Sequence, residues 1–187
     1  MMKELNPEVL AIKPSGIRKF FDLVSEMKDA ISLGVGEPDF DTPWHIREEG
    51  IHSLEKGRTF YSSNAGLMEL REEISRKVES QHGISYNAKN EVMITVGGSE
   101  AIDLAMRVMI LPGDEVLIPE PCYVSYLPCA RMAYGVPVPI PLEEKDEFRL
   151  TPEKLEAAIT EKSKLLILPF PNNPTGSIGF NTCCNKG

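Results

Sequence analysis

The sequence predicts an α/β domain: a mainly parallel sheet flanked by helices and preceded by an N-terminal arm. Three observations carry this. From Glu91 onward, short apolar runs of strand length alternate with segments of helical period. Glycine and proline punctuate the changeovers. And 42% of the 187 residues are apolar, enough to bury a core. Strands alternating with helices join into a parallel sheet through right-handed crossovers.

The elements follow in order. The opening segment, to about Asp41, holds a short amphipathic stretch (Ile17, Phe20, Phe21, Val24) and the loop-like run Leu33 to Phe40. Thr42 offers an N-cap and Pro43 a pre-set first helical turn, with Ile46, Gly50, Ile51 and Leu54 on one face and Gly57 to end the helix. After a polar loop through Tyr61 and Asn64, a second helix carries Leu67, Leu70, Ile74 and Val78, closed by Gly83. Val92–Val96 reads as a first buried strand, followed by Gly97-Gly98-Ser99 and a helix with Ala101, Leu104, Ala105 and Val108 on one face. Pro112-Gly113 breaks that helix, and Val116–Ile118 makes a second strand. A helix over 123–133 leads to a third strand near Val136–Ile140. Thr151-Pro152 starts a helix carrying Leu155, Ala158 and Ile159, and Leu165–Leu168 is a fourth strand. No internal repeat or low-complexity tract is present.

The formal charge of −8 argues against nucleic acid or an anionic membrane as a partner, though not against a small anion held in a local amide-lined pocket. No apolar run approaches membrane-spanning length, and the N-terminus does not resemble a signal peptide. The four cysteines, at 122, 129, 183 and 184, form no CxxC pair and no metal-ligand spacing. They read as reduced thiols of a cytoplasmic protein.

In a parallel sheet, ligands bind beyond the carboxyl ends of the strands, where helix N-termini present free amides. Two loops fall there. In Thr95-Val96-Gly97-Gly98-Ser99-Glu100-Ala101, the N–H groups of Gly98, Ser99 and Glu100, with the Ser99 hydroxyl, suit a phosphate at the positive end of the helix dipole. The plainer alternative is an ordinary strand-to-helix turn with serine as a cap. The sequence has no GxGxxG and no GxxxxGK[ST], so neither a dinucleotide nor a nucleoside triphosphate is indicated. In Pro171-Asn172-Asn173-Pro174-Thr175-Gly176, two prolines stiffen a loop that would aim an amide side chain from the sheet's edge; the alternative is a plain turn.

Taken together, these motifs resemble the class I aminotransferases of the fold type I pyridoxal 5'-phosphate (PLP) group, nearly colinearly from Lys13 to Gly176. The matching pieces are Ile31–Phe40 (ISLGVGEPDF), Tyr61 ahead of Ala65-Gly66 and Glu69-Leu70-Arg71, Thr95–Gly98 (TVGG), Pro112–Val116 (PGDEV) and Pro171–Gly176 (PNNPTG). The aspartate/aromatic subgroup is the nearest in character. The resemblance implies an exchange of the amino group between an amino acid and a 2-oxo acid. It implies Gly98, Ser99 and Glu100 on the cofactor phosphate, Asn173 donating to its phenolic oxygen, and Tyr123 stacked on its ring. Tyr61 would reach the phosphate of a neighbouring subunit in a homodimer, and Gly36 would present its amide near the substrate carboxylate. Ile17 would belong to a flap over the substrate. The plainer alternatives are a core tyrosine on a 123–133 helix, a loop aromatic at Tyr61, a tight turn at Gly36 and a core contact at Ile17. Residues 1–43 would be the arm and part of a small domain, and residues 44–178 the front of the PLP-binding large domain.

The same resemblance leaves the cofactor-bearing lysine, the aspartate facing the pyridine nitrogen and two arginines without a match, as though they lay beyond position 187. Lys162, Lys164 and Lys186 read as solvated charges rather than substitutes. No catalytic residue and no metal ligand is therefore assigned, and the chain alone is expected to be inactive. Residues 179–187 lack helical period and read as an atypical, truncated tail. A non-catalytic module that associates with full-length partners is the alternative. β-Lyases and decarboxylases share the same front half. Apolar strand edges are expected to be exposed and to weaken the fold.

Overall fold

A computed structural model describes residues 5–12, 27, 36 and 38–178. Ile17, the Ile31–Val35 part of the ISLGVGEPDF run and the 179–187 tail lie outside the described residues. The chain forms two compact units: residues 16–95, and residues 1–15 together with 96–187.

In the second of these, α1 (Pro7–Leu10) is a single turn capped by Asn6, whose side chain accepts from the Glu8 N–H at 3.0 Å. In residues 16–95, α2 spans Trp44–Glu55 and α3 spans Met68–His82. Gly57 and Gly83 close them at φ +67° and +69°, as the sequence predicts. The entry into α2 differs. Pro43 itself occupies the N-cap position, and Thr42 makes no capping bond. The expected apolar faces are present but thinly covered, with Ile46, Ile51, Leu54, Leu67 and Leu70 all exposed.

The predicted strand over 92–96 does not form. A strand exists only through a hydrogen-bonded neighbour, and the sheet here has three strands in the order β2-β1-β3, none of them paired with this segment. The segment is held instead by other groups. Arg71 donates from Nε to the Val92 carbonyl at 2.9 Å and from its guanidinium to Lys89, and the Ile94 N–H donates to Ala65 at 3.0 Å. Gly66, at φ +92°, makes the approach possible: a Cβ there would fall 2.6 Å from Ile94 Cγ1.

The second unit continues with α4 (Gly98–Met109), β1 (Glu115–Glu120), α5 (Tyr126–Met132), β2 (Val136–Pro141), a 3-10 turn at Glu144–Asp146, α6 (Pro152–Ala158) and β3 (Ser163–Leu166). Thr151 caps α6 by accepting from the Lys154 N–H at 3.3 Å, with Pro152 in its first turn, as expected. All strand pairs are parallel. β1 is central and buried on both faces, which is why it reads as a continuous apolar run. Val116 and Ile118 pack on one face against Met106, Ile110, Cys129, Ala130 and Ala133 from α4 and α5. Leu117 packs on the other with Ile140, Leu142 and Leu150, beneath Leu155 and Ala158 of α6. The result is helix, sheet and helix in three layers.

β2 is the sequence Val-Pro-Val-Pro-Ile-Pro. The Val136 N–H donates to Asp114 beside β1, so alternate residues 136, 138 and 140 face the ladder and the prolines at 137, 139 and 141 face away. Proline is tolerated there because it lacks a donor only where none is needed.

Two further expectations are corrected. The stripe of α4 that packs on the core is Met106 with the partly buried Ile102, continued by Ile110 just past the helix, whereas of the expected face Leu104 is partly buried and Ala101, Ala105 and Val108 are exposed. This helix is apolar on more than one side, so periodicity alone picks the wrong stripe. The helix expected over 123–133 begins only at Tyr126, which leaves Tyr123 on the preceding loop rather than in the helix.

Candidate functional site

The carboxyl ends of β1 and β3 feed two loops, and the N-terminus of α4 supplies a third element beside them. Gly97 precedes α4 at φ +84° with no side-chain cap, and the first intrahelical bond is Ala101 N–H to the Gly97 carbonyl at 3.5 Å. The N–H groups of Gly98, Ser99 and Glu100 therefore come before the helical ladder and have no acceptor in the helix. A Cβ at Gly97 or Gly98 would meet nothing within 4 Å, so the turn is open. The Glu100 carboxylate folds back onto the Val96 N–H. Ser99 is not a cap. Its hydroxyl lies 3.2 Å from the Tyr123 hydroxyl.

Tyr123 stands on the loop after β1, half-buried, edge-on to Tyr126 with ring centroids 5.7 Å apart. Hydrogen bonds with the hydroxyls of Ser125 and Ser99 hold its phenol below the ordinary tyrosine range. Just before it, burial, aided by the nearby Glu120 carboxylate, pushes the Cys122 thiol up to about 11.

The loop after β3 is pinned to the loop after β1 by Asn172. This side chain is 5% exposed, and its Nδ2 donates to the Pro121 carbonyl at 2.9 Å and to Thr175 Oγ1 at 2.9 Å. Asn172 also closes the loop through its backbone, donating to Ser177 and accepting from Gly176, both at 2.8 Å. Asn173, next in the chain, is exposed, and its amide is uncommitted among the described residues. Ser99 thus meets Tyr123, and the loop carrying Asn173 is fastened two residues before Tyr123. The structure brings these three together at one edge of the sheet. At the opposite end, Lys164 lies 4.0 Å from Asp114, and the Lys162 carbonyl accepts from Glu115, remote from these loops as the sequence reading expects.

The other two candidates lie in the 16–95 unit. Tyr61 is fully exposed on the loop after α2, and Gly36 is exposed with open space around it. Sequence reasoning missed two residues. Asn172 is the buried member of a tandem asparagine pair, and Arg71, quoted only as part of a motif, is the buried pillar of its unit. Burial of polar side chains was the signal, and only the fold reveals it.

A helix N-terminus opened by small residues, a tyrosine and an amide-bearing loop therefore lie on neighbouring segments beyond the carboxyl ends of β1 and β3. Comparison with known proteins shows the family. The family model "Aminotransferase class I and II" matches residues 28–179, and the chain belongs to that family. The chain is 47% identical over 167 residues to an aspartate aminotransferase of Pyrococcus abyssi, covering 89% of this chain and 43% of that protein. It is 45% identical to aromatic-amino-acid aminotransferase 2 of Thermococcus litoralis, covering 93% of this chain and 45% of that one. The structure of aspartate aminotransferase from Thermus thermophilus with maleate superposes with a TM-score of 0.88 at 36% identity, over 96% of this chain and 48% of that one. The chain thus spans under half the length of these relatives. No helix of the described residues is long and apolar enough to cross a membrane.

Proposed function

We propose that this chain supplies the phosphate-binding turn and the ring-holding loops of a PLP-dependent aminotransferase, which exchanges an amino group between an amino acid and a 2-oxo acid. The donor set fits the cofactor. Uncommitted amides at the start of α4 match a phosphate, Tyr123 offers a flat face, and Asn173 offers an unspent N–H. PLP, when bound, supplies the electron-withdrawing ring that the exchange requires. The protein's part is binding and orientation. Gly98, Ser99 and Glu100 hold the phosphate, Tyr123 limits the ring's tilt, and the Asn173 amide donates to the phenolic oxygen and so stabilises its anionic form. In the whole protein, Gly36 would present its amide to the substrate carboxylate, and Tyr61 would reach across a homodimer to the neighbouring phosphate. Residues 44–178 would then form the front of the cofactor-binding domain, with 1–43 as arm and small-domain segment.

One observation carries the reading: Ser99 and Tyr123, from different elements, meet at 3.2 Å beside the loop that bears Asn173. Titrating pyridoxamine 5'-phosphate into the protein and following the ring's fluorescence tests it. Saturable binding that inorganic phosphate displaces is expected. Binding indifferent to phosphate would overturn it.

A further inference from the structure

The relation between the two asparagines of the PNNPTG loop goes further, and it rests on the cofactor reading above. Asn172 makes four hydrogen bonds of 2.8–2.9 Å, two through its side chain and two through its backbone. One of them reaches 51 residues back along the chain to Pro121. Asn173 makes none among the described residues and faces outward. An amide with two donors and a fixed plane can bridge two acceptors in only one orientation, so the bonds to Pro121 and Thr175 fix both the height and the rotation of the loop. Pro121 in turn lies two residues before Tyr123, whose hydroxyl is 3.2 Å from Ser99. The geometry leads from one candidate ring contact to the other through a single buried side chain.

We propose that Asn172 is a positioning residue for the cofactor ring: by tying the β3 loop to the Pro121 carbonyl, it sets Asn173 in register with the face of Tyr123. It touches neither phosphate nor ring. Its effect is confined to the phenolic side of the ligand, because the phosphate amides of α4 are held by the helix and by Glu100 on Val96. Thr175 shares the task, since its Oγ1 accepts from Asn172 and from the Ser177 N–H at 3.2 Å.

The test uses two probes on the 187-residue chain. Pyridoxamine 5'-phosphate needs both ends of the site, and inorganic phosphate needs only the α4 amides. Asn172→Asp keeps the shape but puts acceptor against acceptor at the Pro121 carbonyl, while the Thr175 hydroxyl can turn to donate to the new carboxylate. It should weaken pyridoxamine 5'-phosphate about tenfold, the size of one misplaced hydrogen bond, and leave inorganic phosphate unchanged. Asn173→Ala should do the same, and the double variant should be no weaker than Asn173→Ala alone, because one residue acts through the other. Should Asn172→Asp fail to fold, Thr175→Val, which keeps the Pro121 bond, takes its place in the same cycle with a smaller loss. Losses that multiply in the double variant, or a parallel loss of inorganic phosphate, would show a merely structural role and overturn the proposal. Unchanged affinity for pyridoxamine 5'-phosphate would overturn it as well. Failure of the unmodified chain to bind either probe would instead remove the cofactor reading, and this inference with it.

Discussion

Replacing Arg71 with methionine should destabilise the 16–95 unit while leaving the sheet of the other unit in place. Arg71 is 3% exposed, the one charged side chain among the described residues to be buried. It donates to the carbonyls of Val92 and Lys89, on a stretch with no ladder of its own. Methionine fills much of the same volume but donates nothing, so two carbonyls lose their partners. A buried acceptor left without its partner costs about 1–3 kcal/mol, and the lower end applies here because Val92 is only partly buried and Lys89 is exposed. Release of the guanidinium from its own desolvation offsets part of this, leaving a net loss of about 1–2 kcal/mol. Trp44, the chain's single tryptophan, lies in α2 of the same unit and reports on it selectively. With a urea m-value of about 1 kcal/mol/M for so small a unit, the fluorescence midpoint should fall by about 1–2 M. A midpoint that stays put or rises would mean that water already serves both carbonyls, and that the cation stabilises nothing.

Other perturbations test the rest. Gly66→Ala forces a Cβ to within 2.6 Å of Ile94 Cγ1 at φ +92°, and the same tryptophan transition should lose about 2 kcal/mol or more; a wild-type midpoint would refute the close approach. Ile118→Ala, at a position 0% exposed in the α4–α5 core, should cost about 3–4 kcal/mol by circular-dichroism melting, with little change in Trp44 fluorescence. Cys122 should alkylate slowly at pH 8, its rate rising toward pH 11 when the peptide is mapped by mass; a midpoint near the ordinary value of 9.0 would contradict its burial. The sign of the linked stability follows: the thiol ionises first in the unfolded chain, so its contribution is intact below pH 9.0 and declines as pH rises toward about 11.

Three strands of the sheet and its flanking helices were readable because a central parallel strand is a short apolar run between turn residues, as Val116–Ile118 is. Periodicity reports that a face wants cover, not what covers it. That is why Val92–Val96 looked like a strand although none pairs with it, and why α4 showed an apolar stripe of which only Leu104 is even partly buried. The neighbourhood of the candidate residues was legible in outline, since Ser99 meets Tyr123 and the loop bearing Asn173 is tied to the loop bearing Tyr123. What could not be read was the division of labour between two identical adjacent residues. Asn172 is buried through a carbonyl 51 positions away, and no local pattern encodes that distance.

The alternating prolines of β2 have a consequence for assembly. With rings in place of amide hydrogens at 137, 139 and 141, the outer rim of that strand can accept but cannot offer a hydrogen bond. A foreign strand meeting it would find half of every ladder missing. Any extension of this sheet, whether by more of the same polypeptide or by an unwanted neighbour, is therefore channelled to the flank of β3, and aggregation, where it occurs, should be one-sided.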